Sequence, residues 1–118
     1  MAGARMRRVN EAVREVISAH ISGNLKDPRI GFVTVTGVET SPDLRSARVF
    51  VSILGNPAER DDALAGLRSS AGFLQAQVGT ELRMKRTPTL EFVYDDSVER
   101  GMRISELLAK EPPSEPGT

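Results

Sequence analysis

The residues best equipped for chemistry in this sequence are cations. The stretch LRMKRTP, Leu82 to Pro88, places Arg83, Lys85 and Arg86 almost side by side, and Arg5, Arg7 and Arg8 crowd the N-terminal segment in the same way. A guanidinium fork donates paired hydrogen bonds to phosphate oxygens, and an ammonium adds a point charge. This is binding chemistry, not bond-making. Nucleophilic or acid–base catalysis has little to work with: cysteine is absent, His20 is the single histidine, and neither a Gly-rich phosphate loop nor a serine elbow occurs. His20 falls at the end of a predicted helix and reads as a structural or surface residue. The acid pairs Asp61-Asp62 and Asp95-Asp96 stand where helices begin, and capping accounts for them without a metal ion. Catalytic residues, metal ligands and cofactors are therefore all expected to be absent.

The elements that must position these cations belong to a chain of 118 residues, 39% hydrophobic and 27% charged, which suits one soluble domain. A zero net charge conceals an uneven distribution. Residues 1–90 hold 13 lysines and arginines against 9 acids, whereas residues 91–118 hold 3 against 7. A basic body with an acidic C-terminal segment hints at a nucleic-acid partner. No segment offers the roughly 20 apolar residues of a membrane helix, and a cytoplasmic protein is expected.

Val9, Val13, Val16, Ile17 and Ile21 fall on one helical face between Arg5 and Ile21, with Gly23-Asn24 as the stop. After Asp27-Pro28 come GFVTVTGVET and RSARVFVSIL, joined through Ser41-Pro42-Asp43-Leu44, which predicts an antiparallel hairpin. In its second strand Ala47, Val49, Val51 and Ile53 alternate with polar neighbours and face the core. Asn56, Pro57 and Glu59 then mark a helix start with a capping box. Thr87-Pro88 ends this helical region, TLEFVY supplies a third strand, and Asp95-Asp96-Ser97 can cap a last helix reaching about Ala109. Met102, Ile104, Leu107 and Leu108 are expected to give that helix its apolar contacts. The domain is expected to span 1–109, with 110–118 as a disordered tail.

The apolar stripe Leu64, Leu67, Ala71, Leu74 and Val78 runs straight through Gly72, and Gly79 follows on the same helix. A glycine in a helix interior costs about 1 kcal/mol relative to alanine and marks a bend or a close approach. A bend at Gly72 is predicted, tight enough that a bulky side chain there would overpack. Gly79 is assigned to close packing against the sheet.

Helix, strand, strand, bent helix, strand is the order of a type II KH-like α+β domain, a three-stranded mixed sheet backed by helices, here with an added C-terminal helix. The G-x-x-G clamp of ordinary KH domains is missing. From about Arg5 to Leu108 the chain resembles the bacterial ribosome-binding factor A family of small-subunit assembly factors. The segments that carry the resemblance are RVNEAVREVIS, LKDPRIGFVTVTGVETSPDLRSARVFVSIL, GFLQAQVGTELRMKRTPTLEFVYDDS and ERGMRISELL.

The resemblance implies an interhelical kink at an A-x-G motif, here Ser70-Ala71-Gly72, in place of the KH clamp. It also implies a non-enzymatic, monomeric protein that associates with free 30S subunits. Such a protein promotes late 16S rRNA processing, matters for growth in the cold, and cooperates with assembly GTPases. The residues proposed to meet RNA are Arg5, Arg7, Arg8, Arg68, Arg83, Lys85 and Arg86. A general KH-like binder of single-stranded RNA is the alternative, weakened by an aromatic content of 4% that leaves few stacking platforms. A protein-only adaptor working through the C-terminal helix is a further one.

Overall fold

The computed structural model describes residues 3–110 apart from Asn24 and Lys26, so the expected tail beyond Lys110 lies outside the described residues. The elements run α1 (Gly3–Gly23), β1 (Val33–Thr40), β2 (Ser46–Ile53), α2 (Pro57–Ser69), α3 (Ala71–Glu81), β3 (Thr89–Tyr94) and α4 (Ser97–Lys110). The α+β order is the expected one. β1 pairs antiparallel with β2, and β2 pairs parallel with β3, giving a three-stranded mixed sheet in the order β1-β2-β3.

The core forms where the predicted apolar faces meet. Val13, Val16 and Ile17 of α1, Ala47, Val49, Val51 and Ile53 of β2, Leu67 and Leu74 of the split helix, and Phe92 of β3 are all buried. Truncating Leu67 or Leu74 to alanine removes packing from a site without solvent access, a change that costs about 2 to 5 kcal/mol. Alternation in β1 breaks because Thr36 forms a bulge between Val35 and Gly37. The bulge turns the Thr36 hydroxyl onto Asp95 Oδ2 at 2.7 Å, tying β1 to the residues after β3.

The α2 start is the predicted capping box: Asn56 Oδ1 accepts from Glu59 N–H at 2.8 Å, and Glu59 Oε1 accepts from Asn56 N–H at 2.9 Å. The break between α2 and α3 falls at Ser70, with φ −91° and ψ 0°. Its N–H is shared between the carbonyls of Gly66 and Leu67, as in a tightened last turn, and its own carbonyl accepts from Leu74 N–H to open α3.

Three expectations are corrected. Gly72 is exposed, and a side chain built on it would meet nothing within 4 Å, so the kink needs no space there. The close approach belongs to Gly79, whose missing side chain makes room for the Thr87 hydroxyl in the loop before β3, and to Gly66, where a methyl would stand 2.8 Å from Ile30 Cγ1. The four α4 residues expected to make apolar contacts do not reach the core: Met102, Ile104, Leu107 and Leu108 are all exposed. α4 is pinned at its first turn, where Glu99 accepts from Arg60 Nη1 at 3.0 Å and from the Tyr94 hydroxyl, and the remainder projects from the body.

A candidate nucleic-acid interface

One end of the sheet collects cations from three separate segments. Asn10 Oδ1 accepts from the N–H of Thr40 at 2.9 Å, which fixes the N-terminal turns of α1 beside the end of β1. Arg8, Val9 and Ala12 border a shallow apolar groove with Leu82 and Met84, so the start of α1 lies against the end of α3. The carbonyl of Arg45 accepts from Thr89 N–H at 2.9 Å, which holds the hairpin turn against the start of β3. Arg8, Arg45, Arg83, Lys85 and Arg86 are thus gathered at the same end, with Arg5 one helical turn before Arg8.

The α3–β3 loop that carries three of these cations is a Schellman ending. Arg83 N–H donates to the Thr80 carbonyl at 3.3 Å, and Met84 N–H donates to the Gly79 carbonyl at 3.0 Å. The residue after such a helix end takes a left-handed backbone, and Arg83 does so with φ 51° where glycine is the usual occupant. The cations do not decorate the helix end itself: α3 stops at Glu81, and they lie beyond it, exposed.

Their charge is uncommitted. Among the described residues every ion pair within 4.0 Å involves other cations, except that Arg45 stands 3.8 Å from Asp43. Elsewhere the surface is less hospitable to phosphate. On the open face of the sheet Arg48 is in register between Glu39 and Glu91, a row with net negative charge. The end of the sheet therefore presents the more positive surface and its open face the more negative one.

One predicted RNA contact falls outside this assembly. Arg68 lies on α2 and donates to the Phe92 carbonyl at 3.3 Å, with the whole of α3, about 16 Å at 1.5 Å per residue, between it and the α3–β3 loop. Arg7 is exposed on α1 one helical turn before Asn10, so it stays at the cationic end beside the end of β1. Arg45 was missed, since only the folded hairpin brings the turn beside Thr89; the signal available was its place next to the Ser41–Leu44 turn.

His20 has a structural place. Its ring packs edge-on against Phe73 at 5.5 Å, and Nε2 lies 2.5 Å from Glu81 Oε2, joining α1 to α3. Near the kink, Asp27 accepts from the backbone N–H of Arg29 and from its Nε and Nη2, and Arg29 Nη2 reaches the Ser69 hydroxyl at 3.2 Å. Arg29 holds the Asp27 carboxyl down to about 2, well below the usual carboxylate range. Arg29 is consumed by this clamp and is not available to a phosphate. Among the described residues no group of three or more His, Asp or Glu side chains is gathered as a cation site.

The sequence pattern of the ribosome-binding factor A family matches residues 5–108. The chain belongs to this family. Ribosome-binding factor A of Anaeromyxobacter sp. strain K is 55% identical over 105 residues, covering 88% of this chain and 76% of that protein. The crystal structure of ribosome-binding factor A from Thermus thermophilus superposes with a TM-score of 0.68 at 27% identity, covering 75% of this chain and 94% of the other. A second Thermus thermophilus ribosome-binding factor A structure, a homology model fitted into a cryo-electron microscopy map of a 30S complex, gives 0.58 at 29% identity, with 81% and 93% covered. The family match begins at Arg5 and ends two residues before the end of α4, so the cationic end of the sheet lies within it.

Proposed function

We propose that this protein binds free 30S ribosomal subunits as a monomer and promotes late maturation of 16S rRNA without catalysing any bond change. The observation that carries the reading is the set of exposed cations at one end of the sheet, built from α1, the hairpin turn and the α3–β3 loop, of which Arg45 alone has an acid within 4.0 Å among the described residues. A relative of the same fold has been fitted into a map of a 30S complex. Docking of this end onto rRNA phosphates releases counterions, which supplies affinity with little sequence preference. If the docked surface fits one arrangement of rRNA helices better than its competitors, binding shifts the population toward that arrangement. The effect matters most in the cold, where misfolded helices escape slowly. No helix of the described residues is long and apolar enough to cross a membrane. The proposed setting is the cytoplasm, alongside assembly GTPases.

The test replaces Arg83, Lys85 and Arg86 together by glutamine, which removes charge and keeps polarity. Circular dichroism and melting should match the parent. The slope of log affinity for purified 30S subunits against log salt should flatten by about 2 to 3 units, one for each phosphate no longer neutralised. The variant should also fail to restore growth in the cold to a strain lacking the factor. Parental affinity with an unaltered slope would refute docking through this end.

A further inference from the structure

The opposite end of the sheet has a different chemistry that the proposed function leaves unused. Leu54 N–H donates to the Phe32 carbonyl at 3.0 Å, which sets the two side chains next to each other where β1 begins and β2 ends. Phe32 is 79% exposed and Leu54 76% exposed, far from what two large apolar side chains at a sheet end require. Both border a groove of about 280 Å³ that also includes Ile53, Ala63 and Asp62. Leu54 borders a second groove with Tyr94 and Met102, and Met102 begins the exposed apolar face of α4. The result is one apolar surface running from Phe32 through Leu54 onto α4, an arrangement that marks an interaction site.

Charge decides what fits it. Glu59, Asp61 and Asp62 line the start of α2, and Asp95 and Asp96 follow the end of β3. Three of the four arginines at this end are already held, Arg29 by Asp27 at 2.6 Å, Arg60 by Glu99 at 3.0 Å and Arg100 by Asp96 at 3.0 Å, which leaves Arg103 of α4 against Glu59, Asp61, Asp62 and Asp95. This end is therefore net negative, and β2, about 26 Å long at 3.3 Å per residue, separates it from the cationic end. An RNA backbone is repelled here. A two-fold pairing with a second copy would bring the same acids face to face.

We infer that the Phe32–Leu54 surface docks a basic amphipathic protein segment, its apolar side chains seated on Phe32, Leu54 and the start of α4 and its cations meeting Asp61 and Asp62. Because the two ends are far apart, such a segment and an RNA can be held at once. The protein would then join a nucleic acid to a basic protein. This does not depend on which RNA the cationic end binds.

The probe is a fluorescein-labelled amphipathic peptide with leucines on one helical face and lysines on the other, compared with its leucine–glutamate counterpart by anisotropy at about 0.15 M salt. The lysine peptide should bind at least about tenfold more tightly than the glutamate one. Phe32→Ser with Leu54→Ser should lose about tenfold, and so should Asp61→Asn with Asp62→Asn, whereas Arg83, Lys85 and Arg86 replaced by glutamine should leave binding unchanged. Both loss variants alter exposed side chains, and parental melting confirms folding. Binding indifferent to Phe32 and Leu54 would show a merely ionic attraction and overturn the inference. Two other results would also overturn it: concentration-dependent dimerisation abolished by the serine variants, or competition by an RNA oligonucleotide for this end.

Discussion

Gly79 on α3 faces the hydroxyl of Thr87 so closely that any side chain at position 79 would overlap it. The pair presses the α3–β3 loop onto its helix and so sets the height at which Arg83, Lys85 and Arg86 leave the surface. Gly79→Ala should lower stability by about 1 kcal/mol, because the overlap outweighs the gain in helix propensity. Gly72→Ala, made in open space on the same helix, should raise it by up to about 1 kcal/mol. Urea denaturation of both variants, and of Gly79→Ala combined with Thr87→Ala, checks the argument; the double change should recover most of the loss.

Arg83 holds a left-handed backbone that glycine would adopt at less cost. Arg83→Gly should therefore stabilise the fold by about 0.5 to 1 kcal/mol while weakening 30S binding and flattening the salt slope by about one unit. A variant that is both more stable and fully competent in binding would show that the arginine serves neither end.

The Asp27 clamp predicts an acid response of definite sign. Its folded carboxyl ionises at about 2, below the value near 3.9 of an unfolded aspartate, so its stabilisation is complete above about pH 4 and lost as pH falls toward 2. Asp27→Asn should be less stable than the parent at neutral pH, with the gap closing across that interval. Comparing denaturation midpoints of the two proteins isolates this group from Asp43 and Asp95. Those two are also held below the usual range, by Ser41 and Thr36 respectively.

Glu99 is the joint of α4. Burial first, and the Glu99 carboxylate second, push the Tyr94 hydroxyl above its ordinary value. Glu99→Ala should move the Tyr94 ionisation to lower pH and speed hydrogen exchange in α4. Exchange in β2 should stay unchanged, because Met102, Ile104, Leu107 and Leu108 of α4 are exposed and contribute nothing to the core.

Much of this protein was legible in the sequence, for reasons local to the chain. The valine and isoleucine spacing of α1, the alternation of β2, and the Asn56–Glu59 cap each satisfy backbone and burial within a few residues, so their structures follow from their own residue types. The cations of LRMKRTP were legible too, as unusual density of charge. What the chain could not announce is everything that depends on residues distant in sequence. Gly72 and Gly79 look alike in a helical stripe, and only Thr87 folded against one of them tells them apart. Arg45 becomes part of the cationic end through the Thr89 bond, and Arg68 is removed from it by the length of α3. The division of charge illustrates the same point. Along the chain it separates residues 1–90 from 91–118, but in space it separates the two ends of the sheet, because antiparallel and parallel pairing bring the strand termini to the same two ends. Local propensity decided which elements form; their pairing decided which charges meet.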